Sequence, residues 1–175
     1  GGFLGVMLAT LLFSWKNSIP ILTVGDIVAV STPPGIFLGR IANFINGELW
    51  GKPTTSSLGI VFPSAEARKC PIDWRTECAR HPSQLYEAVS EGLILWLFML
   101  IIVFYLKGFK RPGLMIGTFL SGYGISRLIV EIFREADRQF VSPENPYGYI
   151  IFVSQNFGIS MGQLLSIPMI ITGAI

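Results

Sequence analysis

Four residues in the last third of the chain carry side chains that could do chemistry together. Tyr123, Arg127, Glu131 and Arg134 are spaced four, four and three residues apart. At about 100° per residue they fall on one narrow stripe of a helix, with Leu120, Ile129 and Ile132 on the other side. The stripe offers a phenol, two guanidinium groups and a carboxylate, and Arg127 can pair with Glu131 at i, i+4. A second set lies upstream. Arg40 and Asn43 share a helix face one turn apart, and the segment continues through Asn46 and Glu48 to Gly51. Guanidinium is planar, always charged and suited to bidentate phosphate binding. Two arginines against one glutamate leave positive charge that an anion would balance. A simpler reading stays open, in which Arg127–Glu131 is only a paired intrahelical bridge that helps hold the bundle together and Arg134 reaches out to an interface. His81, the sole histidine, opens the run His81-Pro82-Ser83-Gln84-Leu85-Tyr86-Glu87. At such a helix start it reads as a hydrogen-bonded structural group rather than a base.

These charges matter because of the elements that must hold them. The chain has 175 residues, 51% hydrophobic and 14% charged, with a mean hydropathy of +0.57. Soluble domains carry about 25% charged residues, so the composition implies an all-α polytopic membrane protein. A net charge of +2, with no Lys/Arg run longer than two, gives no footprint for nucleic acid. A disordered chain and a disulfide-stapled miniprotein are excluded as well. About five transmembrane segments are expected, over residues 1–15, 26–45, 88–106, 113–133 and 158–175. The first and last are short, as in a chain cut inside membrane segments at both ends. The pair Pro33-Pro34 predicts a kink or break in the second, and Gly35, Gly39 and Ala42 suit close helix packing.

An ionised side chain inside a span costs at least ~2.5–3.5 kcal/mol on insertion scales, so the arginines mark a site. Lys107, Lys110 and Arg111 form a short basic loop of the cytoplasmic type. Residues 46–87 and 134–157 are then extracytoplasmic, the first as a small head, within a single membrane-embedded domain over 1–175. Trp50, Tyr86, Tyr147 and Tyr149 fall near the interfaces. Cys70 and Cys78 have no metal-binding spacing, and both a disulfide and two free thiols stay open. Composition and spacing thus give an arginine-lined site opening outward, for an anion with apolar tails such as a phospholipid. They do not give the reaction.

The string GRIANFINGELWG resembles the signature of the prolipoprotein diacylglyceryl transferase family, G-R-x-[GA]-N-F-x-N-x-E-x-x-G, at each specified position. HPSQLYE and GYGISRLIVEIFR resemble that family's next blocks in the same order. SMGQLLSIPM, from Ser160 to Met169, is similar to its last span, and GGFLGV at Gly1 to the continuation of its histidine-glycine-glycine motif. The resemblance implies an enzyme of the bacterial cytoplasmic membrane without metal or organic cofactor. It would move the diacylglyceryl group of phosphatidylglycerol to the lipobox cysteine of a prolipoprotein, as the first step of lipoprotein maturation, releasing glycerol 1-phosphate.

By the same resemblance Arg40 and Arg127 hold the phosphate, and Asn43, Asn46, Glu48 and Gly51 surround the headgroup. Glu131 orients Arg127, Tyr123 hydrogen-bonds substrate, Arg134 completes the pattern, and His81 and Gln84 stand at the outer rim. The family's histidine would precede Gly1, so this stretch alone is expected to be catalytically incomplete. A phospholipid transporter or flippase subunit, with the arginines lining a headgroup path, is the alternative that the intramembrane charges also allow.

Overall fold

The computed structural model describes residues 1–70, 77–136, 138–142, 145, 148–154 and 157–174. Five helices dominate. α1 (Gly2–Asn17) ends at Ser18, whose left-handed backbone turns the chain into α2 (Ile21–Asn46). α2 and α3 (Ser83–Tyr105) are the two helices long and apolar enough to cross a membrane. α4 (Leu114–Val130) and α5 (Met161–Ala174) are apolar but shorter.

α2 starts five residues before the expected span and does not break at Pro33-Pro34. Proline's fixed φ already suits a helix, so the pair costs two N–H donors rather than the helical path. Just before it, the Ser31 and Thr32 hydroxyls donate to the Ile27 and Val28 carbonyls, each at 2.8 Å. The helix stops where the sequence writes Asn46-Gly47. Gly47 adopts φ 67°, Gly47 N–H donates to Phe44 O at 3.0 Å, and Glu48 N–H donates to Asn43 O at 2.9 Å. That paired closure is the Schellman arrangement, which favours glycine at the left-handed position.

α3 runs as a π-helix over Ala88–Ile94 before resuming α geometry at Leu95. Gly92 lies in the π segment against α2. A Cβ there would stand 2.7 Å from Phe37 Cβ and 2.8 Å from Phe37 Cα, so only glycine lets the two helices approach this closely. α4 is started by a side chain from another helix. The Asp26 carboxylate, 1% exposed on α2, accepts N–H bonds from Gly113 (2.8 Å), Met115 (3.1 Å) and Ile116 (3.0 Å). It caps the orphan amides of α4 and meets the positive end of its dipole, worth about 1 kcal/mol or more. α5 begins with its own capping box, in which Gln163 N–H donates to Ser160 Oγ and Ser160 N–H to Gln163 Oε1.

The buried core is small: Ala29, Leu95, Met99, Ile102 and Met115, with Phe119 and Tyr123 against it. Elsewhere the helices show large apolar side chains outward, Phe104 at 73% and Trp15 at 82% exposure among them. An α-helix dressed this way is matched to lipid rather than water.

The all-α expectation needs one correction. β1 (Ile151–Ser154) and β2 (Phe157–Ile159) pair antiparallel, Ile151 opposite Ile159, just where the last span was expected to begin. The β-branched and aromatic run there outweighs its neighbouring turn residues. Tyr147, expected at an interface, lies outside the described residues.

The segment between α2 and α3 is tied by isolated bridges, Gly51 to Arg134 and both Pro53 and Ile60 to Arg80, and by a Cys70–Cys78 disulfide. Its centre is Arg80, 3% exposed. Its guanidinium donates to Ala67 O (2.6 Å), Lys69 O (2.8 Å) and Gly51 O (3.2 Å), pairs with Glu135, and lies over the Trp50 ring at 5.9 Å.

Candidate functional site

The C-terminal ends of α2 and α4 and the N-terminal ends of α3 and α5 gather at one end of the helix bundle, and the charged residues meet there. Arg40 sits one turn beyond Phe37, where Gly92 brings α3 close. Arg127 occupies the last turn of α4. Glu87 and Glu91 come from the first turn of α3 and its π segment, a helical form frequent at functional sites.

Glu87 is the hub. Its carboxylate lies 2.7 Å from Arg40 Nε, 3.2 Å from Arg127 Nη1 and 3.6 Å from Arg134 Nε. Glu91 stands 3.7 Å from Arg127 Nη1 and 3.9 Å from Arg40 Nη2. Glu131 lies 3.4 Å from Arg127 Nη2 and 3.7 Å from Arg134 Nη1, and it accepts the Ser160 hydroxyl at 3.0 Å. A Cβ on Gly162 would come within 2.6 Å of Glu131 Oε2, so the start of α5 seats directly on this carboxylate.

Two expectations change here. The arginines were expected to carry uncompensated charge. Glu87 and Glu91 instead bring the carboxylates to three against three guanidiniums. Both glutamates were legible as an i, i+4 pair opening an apolar span, but nothing in the sequence says which arginines they face. The expected stripe also outruns its helix: α4 ends at Val130, and Glu131 and Arg134 belong to the turn that follows. They still join the cluster, because Glu131 N–H and Arg134 N–H continue the helical hydrogen bonding to Arg127 O and Val130 O.

Two cavities flank the cluster. One, of about 250 Å³, is lined by Ile36, Gly39, Arg40, Asn43 and Tyr123. The other, of about 200 Å³, is bounded by Lys52, Glu131, Arg134, Tyr149, Ser160 and Gln163. The structure therefore brings Arg40, Asn43, Tyr123, Arg127, Glu131 and Arg134 together. It does not bring in the side chains of Asn46, exposed at the last position of α2, and Glu48, exposed just beyond it. Nor do Gly35 and Gly39 serve close packing, since a Cβ on either meets nothing within 4 Å.

The other expected residues build the wall. Gly51 donates its N–H to His81 O at 2.8 Å, and a Cβ there would meet Phe133 O at 2.5 Å. Its role is close approach of three backbones. Gln84, 1% exposed, donates from Nε2 to the Glu48 carbonyl, while its buried Oε1 makes no hydrogen bond. His81 shares a 3.2 Å hydrogen bond between Nδ1 and the Tyr86 hydroxyl, and its ring packs edge-on against Phe133. Burial, and then the charge of Lys52, lower the His81 pKa. Lys52 donates from Nζ to Ile132 O at 2.9 Å, and burial lowers its pKa against the pull of Glu131. Neither Arg80 nor Lys52 stood out in the sequence.

The cluster thus sets three guanidiniums and three carboxylates beside an open cavity. The chain as a whole has known relatives. Over residues 1–175 it matches the family model described as prolipoprotein diacylglyceryl transferase. It is 50% identical over 173 residues to the phosphatidylglycerol–prolipoprotein diacylglyceryl transferase of Cereibacter sphaeroides, covering 99% of this chain and 59% of that one. The Ruegeria pomeroyi protein of the same name is 50% identical over 173 residues, at 99% and 58% coverage. The Rhodospirillum centenum one is 43% identical over 174 residues, at 99% and 56%. The chain thus spans somewhat more than half the length of the curated relatives it matches. With a family match along its whole length and half its residues shared with such relatives, the chain belongs to the prolipoprotein diacylglyceryl transferase family.

Proposed function

We propose that the protein transfers the diacylglyceryl group of phosphatidylglycerol to the thiol of a prolipoprotein's lipobox cysteine and releases glycerol 1-phosphate. The sulfur attacks the glyceryl carbon as a thiolate, the C–S bond forms, and the C–O bond to phosphate breaks. Charge develops on the departing phosphate, where Arg40 and Arg127 stabilise it. Asn43 and Tyr123 line the same cavity and offer hydrogen bonds to the headgroup. Glu131, held by Ser160, fixes Arg127 and Arg134. Asn46, Glu48, Gly51, His81 and Gln84 shape the approach from outside.

The observation that carries this reading is the convergence of Arg40 and Arg127, from separate helices, on one buried carboxylate beside an open cavity. The relatives' printed names support the choice of substrates. In this reading all five helices lie in the bacterial cytoplasmic membrane within one domain over 1–175. The loop holding Lys107, Lys110 and Arg111 faces the cytoplasm. Segments 46–87 and 134–157 face outward, where the lipobox peptide arrives, and the exposed apolar helix faces meet membrane lipids.

The test is transfer of labelled diacylglycerol from phosphatidylglycerol to a lipobox peptide by the full-length protein. Arg40→Ala and Arg127→Ala, at matched folded amounts, should each lower turnover by about 10²-fold or more. Absence of transfer by well-folded wild type would overturn the reading.

A further inference from the structure

The arginine cluster is strongly charged but loosely hydrogen-bonded. Among its seven described charge contacts between Glu87, Glu91, Glu131 and the three arginines, one, Arg127 Nη1 to Glu87 Oε1, also meets hydrogen-bond geometry. Glu87 Oε2, 2.7 Å from Arg40 Nε, is not aligned with it as an acceptor. Both Glu91 oxygens and Glu131 Oε2 are likewise buried without a hydrogen bond. Buried acceptors are normally satisfied, because leaving one unmade costs about 1–3 kcal/mol. Such a cluster is held by electrostatics, and Arg40, whose contacts with Glu87 and Glu91 lack hydrogen-bond geometry, can turn to a better-aligned acceptor. Arg40, the least buried of the three with 20% of its side chain exposed, borders the cavity that also holds Asn43 and Tyr123.

We propose that Glu87 is an exchangeable internal anion. It occupies the arginines while the site is empty and gives up its contact with Arg40 when the phosphodiester of a lipid enters the adjoining cavity. Charge favours exchange over addition. Arg40 already faces the Glu87 carboxylate at 2.7 Å, so a phosphodiester arriving at the same guanidinium meets a like charge at close range, and the repulsion is relieved when Glu87 Oε2 withdraws from Arg40. Glu87 keeps Arg127 and Arg134 within reach, so the arginines remain gathered during the exchange. Glu87 is thus a positioning residue, acting on the substrate through Arg40. The lipid's identity rests on the proposed function, but the exchange itself requires only an anionic headgroup.

The experiment uses the full-length protein in phosphatidylcholine nanodiscs with graded phosphatidylglycerol, reading lipid binding directly and transfer separately. Glu87→Gln keeps the shape and removes the competing charge. Phosphatidylglycerol should then bind about tenfold more tightly and its KM should fall, while kcat does not rise in step. A purely structural glutamate predicts the opposite, a KM that rises or a folded variant whose KM is unchanged, and either would overturn the exchange. Should Glu87→Gln fail to fold, infrared difference spectra of wild type decide. Adding phosphatidylglycerol, and not further phosphatidylcholine, should shift a carboxylate stretching band, and an unchanged band would overturn the proposal. Tight phosphatidylglycerol binding with no transfer by wild type would instead remove the proposed reaction and leave the exchange standing.

Discussion

Arg80 and Arg127 are both buried guanidiniums with carboxylates beside them, yet they are held in opposite ways. Arg80 spends its donors on the carbonyls of Ala67, Lys69 and Gly51, and it pairs with Glu135, whose side chain is 45% exposed. Main-chain carbonyls cannot leave without unfolding the segment that carries them. Arg127 faces Glu87, Glu91 and Glu131 at 3.2–3.7 Å, all of them side chains that can rotate. The first arrangement makes an arginine part of a scaffold. The second makes it part of a site, because its partners can be exchanged for another anion at little backbone cost. Burial and charge alone do not separate the two arginines; the identity of the acceptors does.

The largest effect that sharpens this contrast is expected at Arg80. Arg80→Ala orphans at least two buried carbonyls at about 1–3 kcal/mol each, which lowers the melting temperature by roughly 6–12 °C. Turnover per folded molecule should be largely kept, unlike Arg127→Ala, where folded protein should be inactive. Thermal melts alongside transfer rates at matched folded amounts check the pair. An Arg80→Ala protein that melts like wild type but has lost turnover would move Arg80 into the site and dissolve the distinction.

The sequence shows one half of that distinction better than the other. The apolar spans and the Arg127–Glu131 pair depend on neighbours within about one helical turn, where periodicity is informative. Arg40 and Arg127 were legible as costly charges in lipid. Their carboxylate partners were not, since Glu87 pairs with residues 40 or more positions away in either direction and reads locally as an interface charge. Asp26 shows the same limit, reading as the edge of a span while it caps a helix nearly 90 residues later. Arg80 was hidden for another reason. It stands in a mixed-charge stretch where a solvated arginine is the ordinary expectation, and only the folded chain reveals carbonyls converging on it. The β-hairpin was overlooked because β1 lay within the outer connection 134–157, and the end of β2, Gly158 and Ile159, was absorbed into the apolar span that follows.

A smaller effect is expected where the scaffold and the site touch. Gly51 hands its carbonyl to Arg80 and bridges to Arg134, so it couples the two regions. Gly51→Ala drives a Cβ to 2.5 Å from Phe133 O and 2.8 Å from His81 O, contacts with backbone that cannot step aside. A loss of about 1–3 kcal/mol follows, as for other overpacked sites. Gly39→Ala is the matched comparison, a helix-interior glycine with nothing within 4 Å. It should melt at or slightly above wild type, gaining up to about 1 kcal/mol of helix propensity. Equal melts for the two variants would mean the wall between the arginines is looser than this packing implies.

The smallest effect concerns protons at that same wall. Burial and the nearby Lys52 charge hold the His81 pKa below its ordinary 6.5. An unfolded chain therefore takes up a proton on His81 at a pH where the folded one still resists it. Stability owed to neutral His81 is complete above 6.5, declines as pH falls from 6.5 through the lower folded value, and is constant below both. The ring is only partly buried, so the slope is shallow. Melting temperatures between pH 7.5 and 5 should fall for wild type and fall less for His81→Asn, which cannot titrate there. If His81 were instead a site residue paired with a carboxylate of the cluster, its folded form would hold the proton more tightly. Wild type would then gain stability from the same acid titration relative to His81→Asn. The sign of that difference assigns His81 to the scaffold that Arg80 organises or to the cluster around Glu87.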